Sequence, residues 1–376
     1  VNRIVMPRRS LFVAAFLLLC GPLPAAFEQD RSPAPAFAPA FAPSGAEEQR
    51  RRALDAALDQ LAGALEENGS IACTDARMGA PVAVTALGSL ALMAGGNLPG
   101  RGRQHVALER NLEWLLARTD ATSGVITDER DLVSRMHGQG FAALALSQAW
   151  CQSPQSPLGK RLESALSAST RCILGTQGLE GGWWYGFEKS VRHEGSLTIA
   201  CLAALRGAQG AGLRIEAEPV RRAVRYVERS QKEDGSFCYS LGDDHSSVAL
   251  TAAALATLQA AGEYEAASVR RGLDWLALEL ARRNAAGVSP EQANDPADGM
   301  HVSCPYYERL YLALCFWQAR ERSLFQDWYP RECERVLRAR NAQGVWKDER
   351  YGTSYATAMN ALFLALPESL LPIFQR

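Results

Sequence analysis

Apolar and polar positions follow two different helical patterns along this chain. In one kind of segment apolar residues recur every three or four positions with charges between them. Leu54, Ala57, Leu61 and Leu65 do so early on, and Val220, Ala223, Val224 and Val227 do so among Arg221, Arg222, Arg225 and Glu228. That spacing predicts an amphipathic helix with one face in water. In the other kind Ala and Leu fill almost every side, as in Gly140 to Ala149 and Val248 to Ala261. Such a helix is expected to be buried all round. The two kinds alternate, which predicts an all-α domain with an outer and an inner layer.

A glycine returns between the two kinds of segment, at Gly124, Gly181, Gly235, Gly287 and Gly344, with intervals of 57, 54, 52 and 57 residues. Its clearest surroundings are Gln177, Gly181 and Trp183, then Gln231, Gly235 and Phe237, and then Gly344 and Trp346; Asp120 to Ile126 is a degenerate copy. A fixed period of this length marks a repeat architecture, and each interval suits one helix pair with its connections. Five to six pairs fill the chain. The glycine is expected to end the preceding helix in a left-handed conformation, and the aromatic two places on to pack against the neighbouring repeat. Paired helices can stack as an open solenoid or close into a ring, and the pattern alone leaves both open.

With 376 residues, 47% hydrophobic and 22% charged, the chain can bury a large core. Forty basic residues against forty-one acidic ones leave a formal charge of −1, so no nucleic-acid partner is expected. Arg3, Arg8 and Arg9 precede the apolar run Leu11 to Cys20 and then Pro24-Ala25-Ala26, the three parts of a secretory signal. The expected organisation is a signal peptide over 1–26, an Ala/Pro-rich linker over 27–46 and a repeat domain over 47–376, exported to the periplasm or secreted. The apolar run is about half of what a membrane-spanning helix needs, so no transmembrane span is expected in the mature chain. Leu19 stands where a lipid-attachment signal has a small residue, so lipoprotein anchoring at Cys20 is not expected. Without Cys20 eight cysteines remain, with no CxxC pair; Cys172, Cys201 and Cys315 fall in apolar runs, as small buried hydrophobes do.

The Gln177, Gly181 and Trp183 motif, repeated with Phe237, resembles the repeat of squalene and oxidosqualene cyclases and of prenyltransferase β subunits, from about Val82 onward. The segments His137 to Leu146, Tyr355 to Met359 and Leu371 to Arg376 are similar to those of exported bacterial prenyltransferase and squalene oxidase repeat proteins. The resemblance implies a closed α/α toroid around a central cavity. Class II cyclases carry Asp-x-Asp-Asp, whose middle acid protonates the substrate. Here Leu241-Gly-Asp243-Asp244 lacks the first acid, and Asp243 would match the donor. Prenyltransferases hold zinc with Asp-x-Cys and a distant His, and no cysteine here has Asp two residues before it. His301 and Cys304 alone do not make a site, so neither metal nor cofactor is expected. Nucleophile-elbow, His-Glu-x-x-His, phosphate-loop and thioester motifs are absent from the sequence.

His137, His193, His245 and His301 fall 10 to 14 residues after successive repeat glycines. All four are expected to start inner helices. In a closed ring those starts share one rim, where the imidazoles could meet Glu194, Asp243, Asp244 and Cys304, with Tyr306, Tyr307 and Tyr351 on the wall. The plainer reading is that polar residues at helix starts satisfy free backbone N–H groups. Trp114, Trp183, Trp184, Trp275 and Trp346 are read as core, and Tyr311, Phe316 and Trp317 as cavity candidates. An apolar cavity would hold an isoprenoid or other apolar ligand, or seat a protein partner. Two enzymatic alternatives remain: a class II terpene cyclase with Asp243 as proton donor, and a glycan-cleaving toroid using Asp243, Asp244 or Glu194.

Overall fold

The computed structural model describes residues 45–288, 304–341 and 343–375. The expected signal peptide and most of the linker lie outside the described residues, as does His301.

Among the described residues twelve α-helices follow one another with no strand of more than an isolated bridge. The even-numbered helices are α2 (Pro81–Ala94), α4 (Arg135–Gln152), α6 (Gly195–Gly210), α8 (Val248–Ala260), α10 (Pro305–Gln318) and α12 (Gly352–Ala365). Each packs on the next, and α12 packs back on α2, so six inner helices close a ring. The odd-numbered helices are α1 (Gly45–Gly63), α3 (His105–Ala117), α5 (Gly159–Thr176), α7 (Ala217–Arg229), α9 (Ala267–Ala285) and α11 (Arg322–Arg338). They form the outer layer; α1 covers the seam of α12 and α2. The burial follows the sequence pattern: nearly all of α2 and α12 is buried, whereas α7 buries only Ala223, Tyr226 and Val227.

The repeat motif is structural at every position. Gln177 Nε2 donates to Gly181 O and to Pro219 O, both at 2.9 Å, tying its own turn to the start of α7. Gln231 does the same with Gly235 O at 3.0 Å and Ser268 O at 2.7 Å, at the start of α9. Trp183 Nε1 donates to Ile173 O at 2.8 Å, and Trp346 Nε1 to Val336 O at 2.9 Å, each satisfying a carbonyl of the preceding outer helix. Gly287, φ +67°, ends α9 as expected, whereas Gly181 does not end α5, which stops at Thr176; Gly181 lies in the following turn with φ +96°. A Cβ there would sit 2.3 Å from Arg222 O, so the left-handed conformation and the close approach to α7 both demand glycine.

A sixth, unexpected copy runs Leu65 to Ile71 around Gly69, with φ +95°. Six copies match six helix pairs. In four of them the backbone N–H two residues after the glycine is held by a polar side chain in the facing inner helix: Ile71 by Thr85, Ile126 by Gln139, Trp183 by Thr198 and Phe237 by Thr251.

Ring closure follows one local rule. At three inner-helix starts the loop of the following repeat supplies an acceptor: Asp131 to Val82 N, Tyr185 O to Met136 N, Tyr239 O to Gly195 N. The last helix obeys it through the first repeat, since Asp75 accepts from Thr353 N at 3.0 Å and from Thr353 Oγ1 at 2.6 Å. Each such cap is worth about 0.5–2 kcal/mol.

The far end of the ring is covered. After α12 the chain turns through Leu366 and Leu371, both fully buried, and crosses beneath the inner helices. Ile373 N donates to Gln148 Oε1 of α4 at 2.9 Å, and Trp317 Nε1 of α10 donates to Phe374 O at 3.0 Å. The ring is therefore a bowl, with the loops that start the inner helices at its mouth.

Candidate functional site: an aromatic chamber inside the ring

Two inner helices carry a row of partly exposed side chains among buried neighbours. On α4 the row is His137, Phe141 and Leu144; on α10 it is Tyr307, Tyr311 and Leu314. Spacings of four and three residues keep each row on one helix face. The α4 row continues to Gln148, which holds the tail under the ring, so this face looks along the axis. Tyr355 of α12 and Tyr185 and Tyr239 of the loops complete the wall. The chamber is polar near its mouth, where the imidazole and phenol hydroxyls gather, and apolar at Leu144 and Leu314 below.

The mouth is built around Glu194, which is fully buried. It is the N-cap of α6: one carboxylate oxygen accepts from Ser196 N at 2.8 Å, the other from Leu197 N at 2.9 Å and Ser196 Oγ at 2.7 Å. Negative charge at a helix N-terminus is stabilised by the backbone N–H groups and the helix dipole. Because Ser196 Oγ gives its proton to Glu194, it accepts from His137 Nε2, 3.0 Å away. His137 Nδ1 then accepts from Ser134 Oγ. Ser134 is one of two described non-glycine residues with positive φ, at +40°, a strained conformation placed against the imidazole. Burial pushes His137 down to about 4, so it is a neutral ring at neutral pH.

The phenols form a continuous wall. Tyr185 and Tyr239 hydroxyls bond to each other; the Tyr307 and Tyr311 ring centroids are 4.3 Å apart, and those of Tyr351 and Tyr355 5.1 Å. Tyr306 lies 6.3 Å from Tyr355 and donates to Lys347 O at 2.9 Å. Burial, and then the Glu194 charge, push Tyr185 and Tyr239 up; Tyr307 is raised by burial, then by Tyr311 and Glu194. Tyr311 is raised by burial to about 12. Cys304, the N-cap of α10, is raised mainly by burial. The Tyr307 hydroxyl is buried and interacts with that of Tyr311.

The expected rim is thus half assembled. His137, Glu194, Cys304, Tyr306, Tyr307 and Tyr351 gather at the mouth. His193 turns away: its Nδ1 lies 3.0 Å from Tyr226 Oη of outer helix α7, and their rings meet edge to face. His137 sits inside the first turn of α4, whereas His193 precedes the N-cap of α6, and that offset turns the ring into the seam between layers. His245 lies in the loop before α8, its N–H held by Asp243 Oδ1 at 2.8 Å. Asp243 is spent on that turn of the loop, partly exposed, and Asp244 is exposed. Neither occupies the deep, dry position a proton donor needs. Phe316 is buried against Trp328 of α11, and Trp317 braces the tail, so of the three cavity candidates Tyr311 alone lines the chamber. Phe141, Tyr185, Tyr239 and Tyr355 were not anticipated. For Phe141 and Tyr355 the signal was a bulky residue in an Ala-rich helix; Tyr185 and Tyr239 lie in loops, where periodicity gives none.

Among the described residues no group of three His, Cys, Asp or Glu could hold a metal ion, and no helix is long and apolar enough to cross a membrane. No two of the eight described cysteines are joined by a disulfide.

No protein-family model and no curated protein matches the chain. Solved structures do. A type II terpene cyclase, MstE from Scytonema, in complex with its substrate geranylgeranyl dihydroxybenzoate, superposes with TM-score 0.54 at 16% identity, over 87% of this chain and 99% of that one. Cellobiose 2-epimerase from Bacillus thermoamylovorans B4167 gives TM-score 0.61 at 11% identity, over 85% and 98%. An inactive variant of the α-1,6-mannanase of Salegentibacter sp. HEL1_6, bound to α-1,6-mannotriose, gives 0.57 at 11%, over 84% and 98%. At these identities the likeness establishes the fold: the chain is an α/α toroid, of the same architecture as these enzymes.

Proposed function

We propose that this chain is an exported ligand-binding toroid whose chamber takes an elongated apolar molecule with a polar end, an isoprenoid alcohol or prenylated phenol. The carrying observation is the graded wall of α4 and α10, from His137 and Tyr307 at the mouth to Leu144 and Leu314 below. Aromatic walls bury large apolar area, and a few fixed polar groups orient the ligand. The buried Tyr307 and Tyr311 hydroxyls, which interact with each other, offer a polar ligand end a hydrogen-bonding partner. The Scytonema cyclase, of the same fold, holds a prenylated aromatic acid.

Binding is favoured over turnover by what the acids do. Protonating a polyene takes an acid poised within the cavity, and cleaving a glycan takes two carboxylates about 5 to 10 Å apart. Among the described residues the acids that act on the chamber wall include Glu194, both of whose oxygens cap α6, and Asp348, whose Oδ1 accepts from Arg350 N and Tyr351 N. Action outside the cytoplasm rests on the basic, apolar and small-residue succession of the first 26 residues.

The direct test is titration with geranylgeraniol, read by thermal shift and by calorimetry. Wild type is expected to be stabilised, and Leu314→Trp, which fills the lower chamber, to lose the effect. Equal stabilisation of both proteins would place the ligand elsewhere and sink the proposal.

A further inference from the structure

Helix α10 has a second working face. Opposite the chamber row it presents Glu308, Arg309 and Leu312 to a cleft of about 300 Å³ that opens outward between α9 and α11. Leu280, Arg283 and Asn284 of α9 form one side, and Trp328, Arg331, Glu332 and Arg335 of α11 the other.

The charges in this cleft are unequal. Glu332 is 2% exposed and saturated, one oxygen 2.8 Å from Arg309 Nε and the other 3.1 Å from Arg335 Nη1. Glu308 accepts from Arg283 Nη1 at 2.9 Å, and Arg283 also pairs with Glu279. Arg331 makes no ion pair among the described residues; its Nε donates to Asp327 O at 3.0 Å. Arg331 and Arg335 stand one turn apart on the same face of α11, a like-charged spacing that costs helix stability unless an anion lies between. Arg335 also reaches across the opening to Asn284 Oδ1 at 3.4 Å. Three residues before Arg331, Trp328, whose indole meets Phe316 and Phe363 edge to face, also lines the cleft, as do Leu280 and Leu312.

We propose that this cleft is a second binding site, separate from the chamber, for a small organic anion: a carboxylate on a short apolar body. Guanidinium groups match a carboxylate in a planar, two-pronged fashion. Arg331 and Arg335 hold the carboxylate at the opening, and the apolar body lies against Trp328, Leu280 and Leu312. The volume stands at the lower end of the range for small-molecule sites, about 300–1,000 Å³, which excludes a long lipid.

The probe is octanoate, titrated calorimetrically into the whole protein, with octanol and inorganic sulfate as controls. Octanoate is expected to bind at least tenfold more tightly than either control. The doubly substituted Arg331→Gln, Arg335→Gln protein is expected to lose at least tenfold in octanoate affinity while binding geranylgeraniol as wild type does. Arg335 also holds the buried Glu332, so Arg331→Ala alone, which leaves that pair intact, is the second probe and is expected to lose octanoate affinity as well. Octanoate that binds no better than octanol, or equally well to both proteins, or not at all, would overturn the assignment.

Discussion

His137 Nε2 lies 3.0 Å from Ser196 Oγ, joining the first turn of α4 to the first turn of α6 across the mouth of the ring. Ser196 in turn rests on the buried Glu194. One helix cap thereby sets the tautomer and orientation of the imidazole that faces the chamber, as partners behind a functional histidine do.

That chain has a pH signature. Burial lowers His137 from its ordinary 6.5 to about 4, so the unfolded chain takes up the proton first as pH falls. The contribution is complete above pH 6.5 and is lost progressively between about 6.5 and about 4. Urea melts across this window should show stability falling with pH in wild type and a shallower fall in His137→Gln. Parallel curves would mean that the imidazole is not held neutral.

Two glycines with positive φ separate conformation from contact. Gly181 has a Cβ direction blocked by Arg222 O at 2.3 Å, whereas Gly242, φ +84°, has nothing within 4 Å. Gly242→Ala should cost about 1 kcal/mol from strain alone. Gly181→Ala should cost clearly more, because α7 must also shift. Equal losses in thermal melts would remove the contact argument.

Ring closure through Asp75 can be tested alone. Asp75→Ala should cost about 0.5–2 kcal/mol, the worth of a helix cap, and should raise hydrogen exchange first in α12 and in the loop from Leu65 to Ala80. Exchange rising uniformly around the ring would show that closure does not depend on this contact.

The tail that covers the base makes a further prediction. Trp317→Phe keeps an aromatic ring and removes the hydrogen bond to Phe374 O. About 1 kcal/mol should be lost, with faster exchange at Leu371 to Gln375. An unchanged tail would mean that Gln148 and apolar packing suffice to hold it.

Much of the layering was legible because water reads it too: charged stripes such as Arg221 to Glu228 face outward, and Ala-rich runs such as Val248 to Ala260 do not. Closure was not legible in the helical pattern and came from the resemblance of the Gln177, Gly181 and Trp183 motif, since the contact of Asp75 with Thr353 spans almost three hundred residues. The sixth motif copy escaped because Leu65 and Ile71 stand in for Gln and the aromatic, although Ile71 N is held by Thr85 just as Trp183 N is held by Thr198. Four histidines looked equivalent by spacing. The register of each inner helix start decides which ring enters the chamber, and a one- or two-residue shift at a helix end is below what periodicity resolves.

The central claim is that the chamber is a ligand site. Native mass spectrometry of the protein recovered from its producing cells, followed by denaturing extraction, tests it most directly. The account expects a stoichiometric apolar compound with a polar end, present in wild type and in Asp243→Asn and absent from Leu314→Trp. An empty wild-type protein that also fails to take up added geranylgeraniol would contradict it.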